Sequence, residues 1–148
     1  DLKTEVQPEG ATAQPLNPLR IALSSGASFV ARSFVGDREH LSKMIKKAFK
    51  HKGYALIDIL QPCVSFNKIN TYKWYSERVF KLNDHNEKDI DAAFSKAGKW
   101  GEEIPVGVFY KKEREVFRDH FPWLNDKEII GKREIDPSNM KELLKDFK

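Results

Sequence analysis

The sequence predicts an α/β protein whose sheet is mostly parallel and flanked by helices. Residues 54–60 (YALIDIL) form an apolar run of β-forming residues with one acidic residue inside, which is typical of a strand buried on both faces. Helical and extended patterns alternate from residue 17 to residue 60. A helix of this length between two strands is the crossover that parallel strands require, so the alternation favours a layered α/β sheet.

The first predicted helix follows a polar arm. Residues 1–16 carry no core pattern, and we expect them to be irregular. Asn17 and Pro18 then begin a short helix, because Asn can accept an orphan N–H and Pro suits the first turn. Gly26 is expected to end this helix in the left-handed conformation.

A strand and a longer helix come next. Residues 27–34 predict a strand that Arg32 interrupts; we expect a surface arginine near the strand end, with contact to an anionic ligand as the alternative. Asp37 is the predicted N-cap of a helix that Gly53 ends. Its apolar face is predicted from residues at helical spacing, namely Leu41, Met44, Ile45, Ala48 and Phe49.

The candidate functional residues follow the strand at residues 54–60. Pro62 ends that strand because it has no N–H for the ladder, and Cys63, the single cysteine of the chain, comes directly after it. In a parallel sheet Cys63 then lies beyond a strand's carboxyl end, the edge where open α/β sheets bind ligands. Asn67 either orients a ligand or is an ordinary turn residue, and both interpretations stay open.

The remaining chain predicts further elements. Thr71 is expected to cap a short aromatic helix that packs over the sheet, with Tyr72, Trp74, Tyr75 and Val79. Residues 90–97 predict an amphipathic helix, 105–110 a short strand, and 111–119 a charged helix. Residues 121–124 (FPWL) form an apolar group, and we expect a C-terminal helical extension over 126–148.

Composition limits the classes of function. The chain has 148 residues, of which 40% are hydrophobic and 32% charged, as expected for one soluble globular domain. A single cysteine excludes an internal disulfide framework, so we expect the reducing cytoplasm. The net charge of +4 comes from basic residues interleaved with acidic ones, which argues against a nucleic-acid surface but allows attraction of anionic partners.

The segment around Cys63 also carries a family resemblance. Residues 60–68 (LQPCVSFNK) closely resemble the segment that ends the thiamine-diphosphate-binding (beta) subunit of 2-oxoacid:ferredoxin oxidoreductases. The resemblance continues in NTYKWY at 70–75, and in the same order along the chain at 17–19, 26–32 and 104–110. It covers roughly residues 11–125. Ser33 and Ser65 stand where relatives often have glycine and threonine.

The resemblance implies a role for Cys63. In that family the cysteine after the Gln-Pro pair is the last of four thiolates that hold a [4Fe-4S] cluster near the thiamine. Carried onto this sequence, Cys63 is the fourth cluster ligand, and Asn67 is a weaker candidate for cofactor contact. The implied domains are an arm at 1–16, the C-terminal half of a thiamine-diphosphate-binding α/β domain at 17–125, and the helical extension at 126–148.

Several elements of that family are not found in this sequence. It contains no Gly-Asp-Gly motif for magnesium and diphosphate and no Cys-x-x-Cys, and one thiolate cannot hold a cluster that requires four cysteines. We therefore expect the C-terminal half of a beta subunit. On its own this chain is expected to be inactive and to bind no thiamine diphosphate, Mg²⁺ or cluster stably.

The activity that the resemblance implies belongs to the complete enzyme. That enzyme oxidatively decarboxylates a 2-oxoacid, passes the electrons through the cluster to ferredoxin, and transfers the acyl group to coenzyme A. The implied partners are an alpha subunit, ferredoxin, the 2-oxoacid and coenzyme A, with no nucleic acid and no membrane.

Two alternatives come from other classes of protein. In the first, the chain is a stand-alone binding or regulatory module in which Cys63 only packs in the core. In the second, Cys63 is the nucleophile of a thiol enzyme. The second requires a positioned base, and none of the four histidines has an evident link to Cys63 in the sequence.

Overall fold

The chain divides into two units, Asp1–Arg114 and Glu115–Lys148. Among the described residues, four strands and four α-helices lie in the larger unit. A computed structural model describes residues 3, 7–10, 13–121 and 144–147. The elements in chain order are α1 (Pro18–Ser24), β1 (Phe29–Phe34), α2 (Arg38–Phe49), β2 (Ala55–Leu60), α3 (Tyr72–Ser76), β3 (Val79–Lys81), α4 (Ile90–Ala97) and β4 (Ile104–Lys111).

The strands form one mixed sheet in the order β2-β1-β4-β3. β1 pairs with β2, and β3 with β4, in parallel, whereas β1 and β4 are antiparallel. The predicted mostly parallel α/β sheet is therefore confirmed, and α2 is the crossover between β1 and β2. The direction of β4 was not predicted. Val79 was expected on α3 but begins β3, because it pairs with Ile104.

Side-chain caps begin the helices where the sequence predicts. Asn17 Oδ1 accepts a hydrogen bond from the N–H of Arg20 at 3.0 Å, and Asp37 Oδ1 accepts one from the N–H of His40 at 3.0 Å. Thr71 caps α3 in the same way. Each cap satisfies an N–H that has no partner inside the helix, so these starts are confirmed.

The sheet is covered on both faces. One face packs against α1 and α4, and its buried cluster contains Leu19, Leu23, Val30, Ala93 and Phe109. The other face packs against α2 through Phe29, Ala31, Met44 and Val108. Successive residues of β1 alternate between the two clusters, as the two-residue period of a strand requires. A third cluster at one end of the sheet packs against Trp74 and Tyr75 of α3, which confirms the predicted packing of these two, whereas Tyr72 is exposed.

The buried face of α2 differs from the predicted one. Met44 is buried, but Ile45 and Phe49 are exposed, and His40 is buried instead. His40 Nδ1 is 2.8 Å from the Ser33 hydroxyl of β1, a polar contact that hydrophobic spacing does not indicate, while Leu41 and Ala48 of the predicted face are partly buried. Burial lowers the pKa of His40, which keeps the imidazole neutral at pH 7.

The predicted helix over 111–119 is wrong. β4 continues to Lys111, residues 112–116 have no regular structure, and a 3-10 helix covers Phe117–His120. The segment has few apolar anchors, and Phe117 is exposed apart from its ring contact with Phe121, so among the described residues little packing supports a longer helix. A second 3-10 helix covers Leu144–Phe147, while most of the predicted extension at 126–148 lies outside the described residues.

Gly53 allows Ser28, the residue before β1, to lie close to the turn that precedes β2. Its φ is +127°, and a Cβ there would lie 2.1 Å from Ser28 Oγ. That hydroxyl donates to the Tyr54 carbonyl at 3.1 Å and lies 2.9 Å from His51 Nε2. Gly53 is thus required both by backbone conformation and by space.

We expect Gly53→Ala to lower the free energy of unfolding by about 2–4 kcal/mol, because positive φ and a steric clash add together. Gly101 is the matched control: its φ is +93°, but a Cβ would meet nothing within 4 Å. Gly101→Ala should therefore cost only about 1–2 kcal/mol, for the left-handed backbone alone. Urea denaturation measures both. Equal losses would contradict the steric role assigned to Ser28.

Candidate functional site

The carboxyl ends of β1 and β2 define the edge of the sheet where the candidate site lies. Phe34 and Leu60 are register partners at the last positions of these parallel strands, so the segments that follow both leave the sheet at one edge. β4 is antiparallel to β1, and its first residue Ile104 therefore lies at the same edge. β3 is parallel to β4, which brings α3 to this edge as well. The chain here connects β2 to α3 through Cys63.

Cys63 begins a tight turn over residues 63–67, which we call the Cys63 turn. The thiol is exposed, and its sulfur accepts a hydrogen bond from the N–H of Phe66 at 3.5 Å. The Cys63 carbonyl accepts from the N–H of Asn67 at 3.3 Å, which closes the turn. The placement of Cys63 beyond a strand's carboxyl end agrees with the sequence analysis.

Backbone N–H groups lower the pKa of the Cys63 thiol. The largest contribution is the hydrogen bond from Phe66, followed by the N–H groups of Ser65 and Asn67, while the positive charge of Lys68 adds less. These donors favour the thiolate, which is the form that binds metal or attacks an electrophile. The turn therefore offers one activated sulfur facing outward.

Asn67 organises the loop that follows. Its Oδ1 accepts hydrogen bonds from the N–H groups of Ile69 and Asn70 at 3.0 and 2.9 Å, and its Nδ2 donates to Asn70 Oδ1 at 3.2 Å. These bonds are those of a turn residue that replaces backbone partners. A contact between Asn67 and a cofactor stays a prediction.

A surface cavity of about 260 Å³ adjoins the Cys63 turn. Lys68 lies on its rim and donates to the Val64 carbonyl, which stabilises the loop backbone. Val64, which also lines the cavity, is exposed, as are Phe66 and Ile69 of the same loop. Across the described residues, no group of three or more His, Cys, Asp or Glu side chains is placed to hold a metal ion, so Cys63 is one sulfur donor without a local ligand set.

Arg32 is the residue that sequence reasoning misplaced. Its side chain is only 2% exposed, and Nε donates to Asp58 Oδ2 at 2.8 Å, so the expected surface arginine is wrong. The guanidinium carbon is 5.3 Å from the ring centre of Trp100 and 5.8 Å from that of Phe109. Strand alternation explains the burial, since Arg32 follows Val30 by two residues and shares its covered face.

Two family profiles match consecutive parts of the chain. Residues 1–59 match the family described as "Thiamine pyrophosphate enzyme, C-terminal TPP binding domain". Residues 63–126 match the family of the C-terminal part of the pyruvate ferredoxin oxidoreductase beta subunit, so this second match begins at Cys63 itself.

Curated relatives agree with the second profile. The beta subunit of a 2-oxoacid:ferredoxin oxidoreductase from Sulfolobus sp is 46% identical over 111 residues, covering 66% of this chain and 36% of the relative. The corresponding protein from Saccharolobus solfataricus is 40% identical over 124 residues, covering 76% and 41%. This chain is related to the C-terminal region of 2-oxoacid:ferredoxin oxidoreductase beta subunits.

A solved structure has the same fold. The 2-oxoglutarate:ferredoxin oxidoreductase from Magnetococcus marinus, with 2-oxoglutarate, coenzyme A and succinyl-CoA bound, superposes with a TM-score of 0.77 at 29% identity. The match covers 97% of this chain and 49% of that one. The match therefore covers less than half the length of each of the three proteins named above, the two curated beta subunits and the solved structure.

No helix in the described part of the chain is both long enough and apolar enough to cross a membrane.

The Cys63 turn should make the thiol ionise more readily in the folded chain. We expect alkylation by iodoacetamide to show a pH midpoint below that of the same chain in urea, where the sulfur loses its N–H donors and its pKa approaches the value of about 8.5 of a free cysteine. Phe66→Pro removes the main donor and should move the midpoint upward. Lys68→Met, the control, should move it less. Identical midpoints in folded and unfolded chain would contradict the role of the turn.

Proposed function

We propose that this chain is part of a 2-oxoacid:ferredoxin oxidoreductase, which oxidatively decarboxylates 2-oxoacids to acyl-CoA and reduces ferredoxin. The observation that carries the proposal is the geometry of Cys63, which lies in the part of the chain that matches the beta-subunit profile. The beta-subunit profile begins at Cys63, and the thiol of Cys63 faces outward from a turn that favours the thiolate. In this enzyme the chain supplies part of the sheet and one cluster cysteine.

We infer that Cys63 is the fourth ligand of a [4Fe-4S] cluster. An exposed sulfur with a lowered pKa fits the thiolate that iron–sulfur clusters require, and N–H groups directed at sulfur are a means of tuning such clusters. The other three thiolates come from outside this sequence, because Cys63 is its one cysteine. The cluster would supply one-electron acceptance, while the Cys63 turn holds the sulfur and directs N–H groups at it.

Thiamine diphosphate and Mg²⁺ belong to the same proposal. The match of residues 1–59 to a thiamine-enzyme domain supports a thiamine cofactor in the complete protein. When bound, thiamine diphosphate supplies the electron sink for decarboxylation. This chain contributes the sheet edge at the ends of β1 and β2 to the cofactor site, but it lacks the diphosphate motif. Asn67 is a weak candidate for contact with the cofactor.

The partners follow from the proposed reaction. They are an alpha subunit, ferredoxin, a 2-oxoacid and coenzyme A, in the cytoplasm. The relative from Magnetococcus marinus is described with 2-oxoglutarate and coenzyme A bound, and the net charge of +4 on this chain favours anionic partners.

Neither alternative explains Cys63 as well. A module in which Cys63 packs in the core is contradicted by its exposed thiol. A thiol enzyme would share the lowered pKa, but the groups that lower it are backbone N–H groups and Lys68, with no histidine base among them.

Cys63→Ser tests the ligand role in the complete enzyme. Serine is nearly isosteric and the site is exposed, so the free energy of unfolding should change by about 0.5 kcal/mol or less. Iron content and the electron paramagnetic signal of the reduced cluster should fall, and ferredoxin reduction should fail while thiamine diphosphate still binds.

Ser65→Ala is the matched control for this experiment. It removes a hydroxyl from the same turn but keeps the backbone N–H near the sulfur, so iron content should stay at the wild-type level. Wild-type iron and activity in Cys63→Ser would end the claim that Cys63 is a ligand.

The isolated 148-residue chain should stay inactive and colourless. After incubation with Mg²⁺, thiamine diphosphate, iron and sulfide and then desalting, it should retain none of them in stoichiometric amount, because one cysteine cannot hold the cluster. Absorbance and metal analysis provide the measurement. A stable brown chromophore on this chain alone would show that its ligand set is complete without the rest of the enzyme.

A further inference from the structure

Arg32 has donors without acceptors in the interior of the larger unit. Nε is paired with Asp58, but Nη1 is buried and has no hydrogen-bond partner. A buried guanidinium donor left unpaired costs more than an ordinary lost hydrogen bond, so a structure retains one where something else supplies the acceptor.

Arg32 lines a cavity of about 390 Å³. The lining is largely apolar and contains Pro15, Leu16, Pro18, Leu60 and Trp100, together with Asn17, Arg32 and Asp58. Both polar atoms of the Asn17 amide have a partner within the protein, since its Nδ2 donates to the Ala97 carbonyl at 2.8 Å and its Oδ1 accepts from the N–H of Arg20. Asp58 is itself an acceptor. Arg32 is therefore the lining residue with a buried donor that lacks a partner, and the missing group is an acceptor.

We propose that Arg32 binds a second carboxylate in this cavity. The planar fork of a guanidinium suits a carboxylate, and its five N–H donors can serve two carboxylates on different sides. Asp58 uses only Nε, which leaves the Nη side of the fork for the ligand. This role of Arg32 is independent of the reaction that the whole protein catalyses.

The charges of Arg32 and Asp58 favour a ligand with a single negative charge. The Asp58 side chain keeps 21% of its surface exposed, so water screens part of its charge and the buried guanidinium is incompletely neutralised. A carboxylate carries one charge and tolerates Asp58 nearby. A phosphate dianion would meet stronger repulsion from the same carboxylate in an apolar cavity. The site therefore selects carboxylate over phosphate.

The carboxylate has two sources, a free small molecule or a side chain from elsewhere in the complete enzyme. Acetate is the probe for both, observed through saturation-transfer NMR of its methyl group. The experiment is done on the 148-residue chain and on the complete enzyme, with chloride holding the ionic strength constant.

We expect acetate to receive saturation from the 148-residue chain in a saturable manner. The signal should disappear in Arg32→Lys, because the single ammonium pairs with Asp58 and offers no second fork. It should persist in Arg20→Lys, the control, since Arg20 already donates to the Phe94 carbonyl and does not border the cavity. If the complete enzyme gives the same signal, the cavity is open there and its ligand is a free carboxylate. If only the 148-residue chain gives the signal, a side-chain carboxylate of the complete enzyme occupies the cavity.

A second measurement needs no variant at position 32 and covers the case in which Arg32→Lys does not fold. In the unmodified chain labelled with ¹⁵N-arginine, acetate should shift the Nε–H resonance of Arg32 and leave that of Arg20 in place. No saturable acetate signal from the chain, or a signal that Arg32→Lys retains, would mean that water serves Nη1 and would overturn the proposal. Displacement of acetate by lower concentrations of phosphate would overturn the choice of carboxylate.

Discussion

The ion pair between Arg32 and Asp58 is the constraint on which the first part of the sheet depends. The two residues are register partners on β1 and β2, and both lie in the middle of otherwise apolar strands. A slip of one residue would place a buried guanidinium opposite an aliphatic side chain and move every neighbour to the wrong face. Separating a fully buried pair costs about 3–5 kcal/mol; the exposed part of Asp58 lowers that figure here. The pair thus fixes register more than it adds stability.

Local signals in the sequence were sufficient to predict the layered fold. Asn17, Asp37 and Thr71 have short polar side chains that cap helices, and these caps act over a few residues whatever the tertiary structure. The direction of β4 and the existence of β3 depend on pairing between distant residues, which no local pattern encodes. Val79 is suited to a helix face and to a strand, and only its pairing with Ile104 decides between them.

The candidate site also contains one residue that local signals predict and one that they do not. Cys63 could be placed because an apolar strand and a proline precede it, and those are local signals. The predicted burial of that strand on both faces is wrong, because β2 is an edge strand and most of its residues are partly exposed. Arg32 could not, because its burial depends on an acidic partner in another strand and on the ring of Trp100, which comes much later in the chain. A usable signal was nonetheless present: one basic and one acidic residue interrupt two adjacent apolar strands joined by a single crossover helix. Opposite charges in that arrangement stabilise each other, whereas either one buried alone would carry the full desolvation penalty.

Both candidate sites offer hydrogen-bond donors that the sheet positions: the Cys63 turn follows the end of β2, and Arg32 lies within β1. At the Cys63 turn the donors are backbone N–H groups directed at sulfur, and at Arg32 they are guanidinium N–H groups beside an apolar cavity. Donors held in place by a sheet lose little entropy when they meet an acceptor, which is why such groups bind anions well. Leu60 lines the Arg32 cavity and Pro62 lines the cavity next to Cys63. Because proline fixes its own φ, one backbone dihedral of this short connection is set, which narrows the positions that the Cys63 sulfur can take relative to the end of β2.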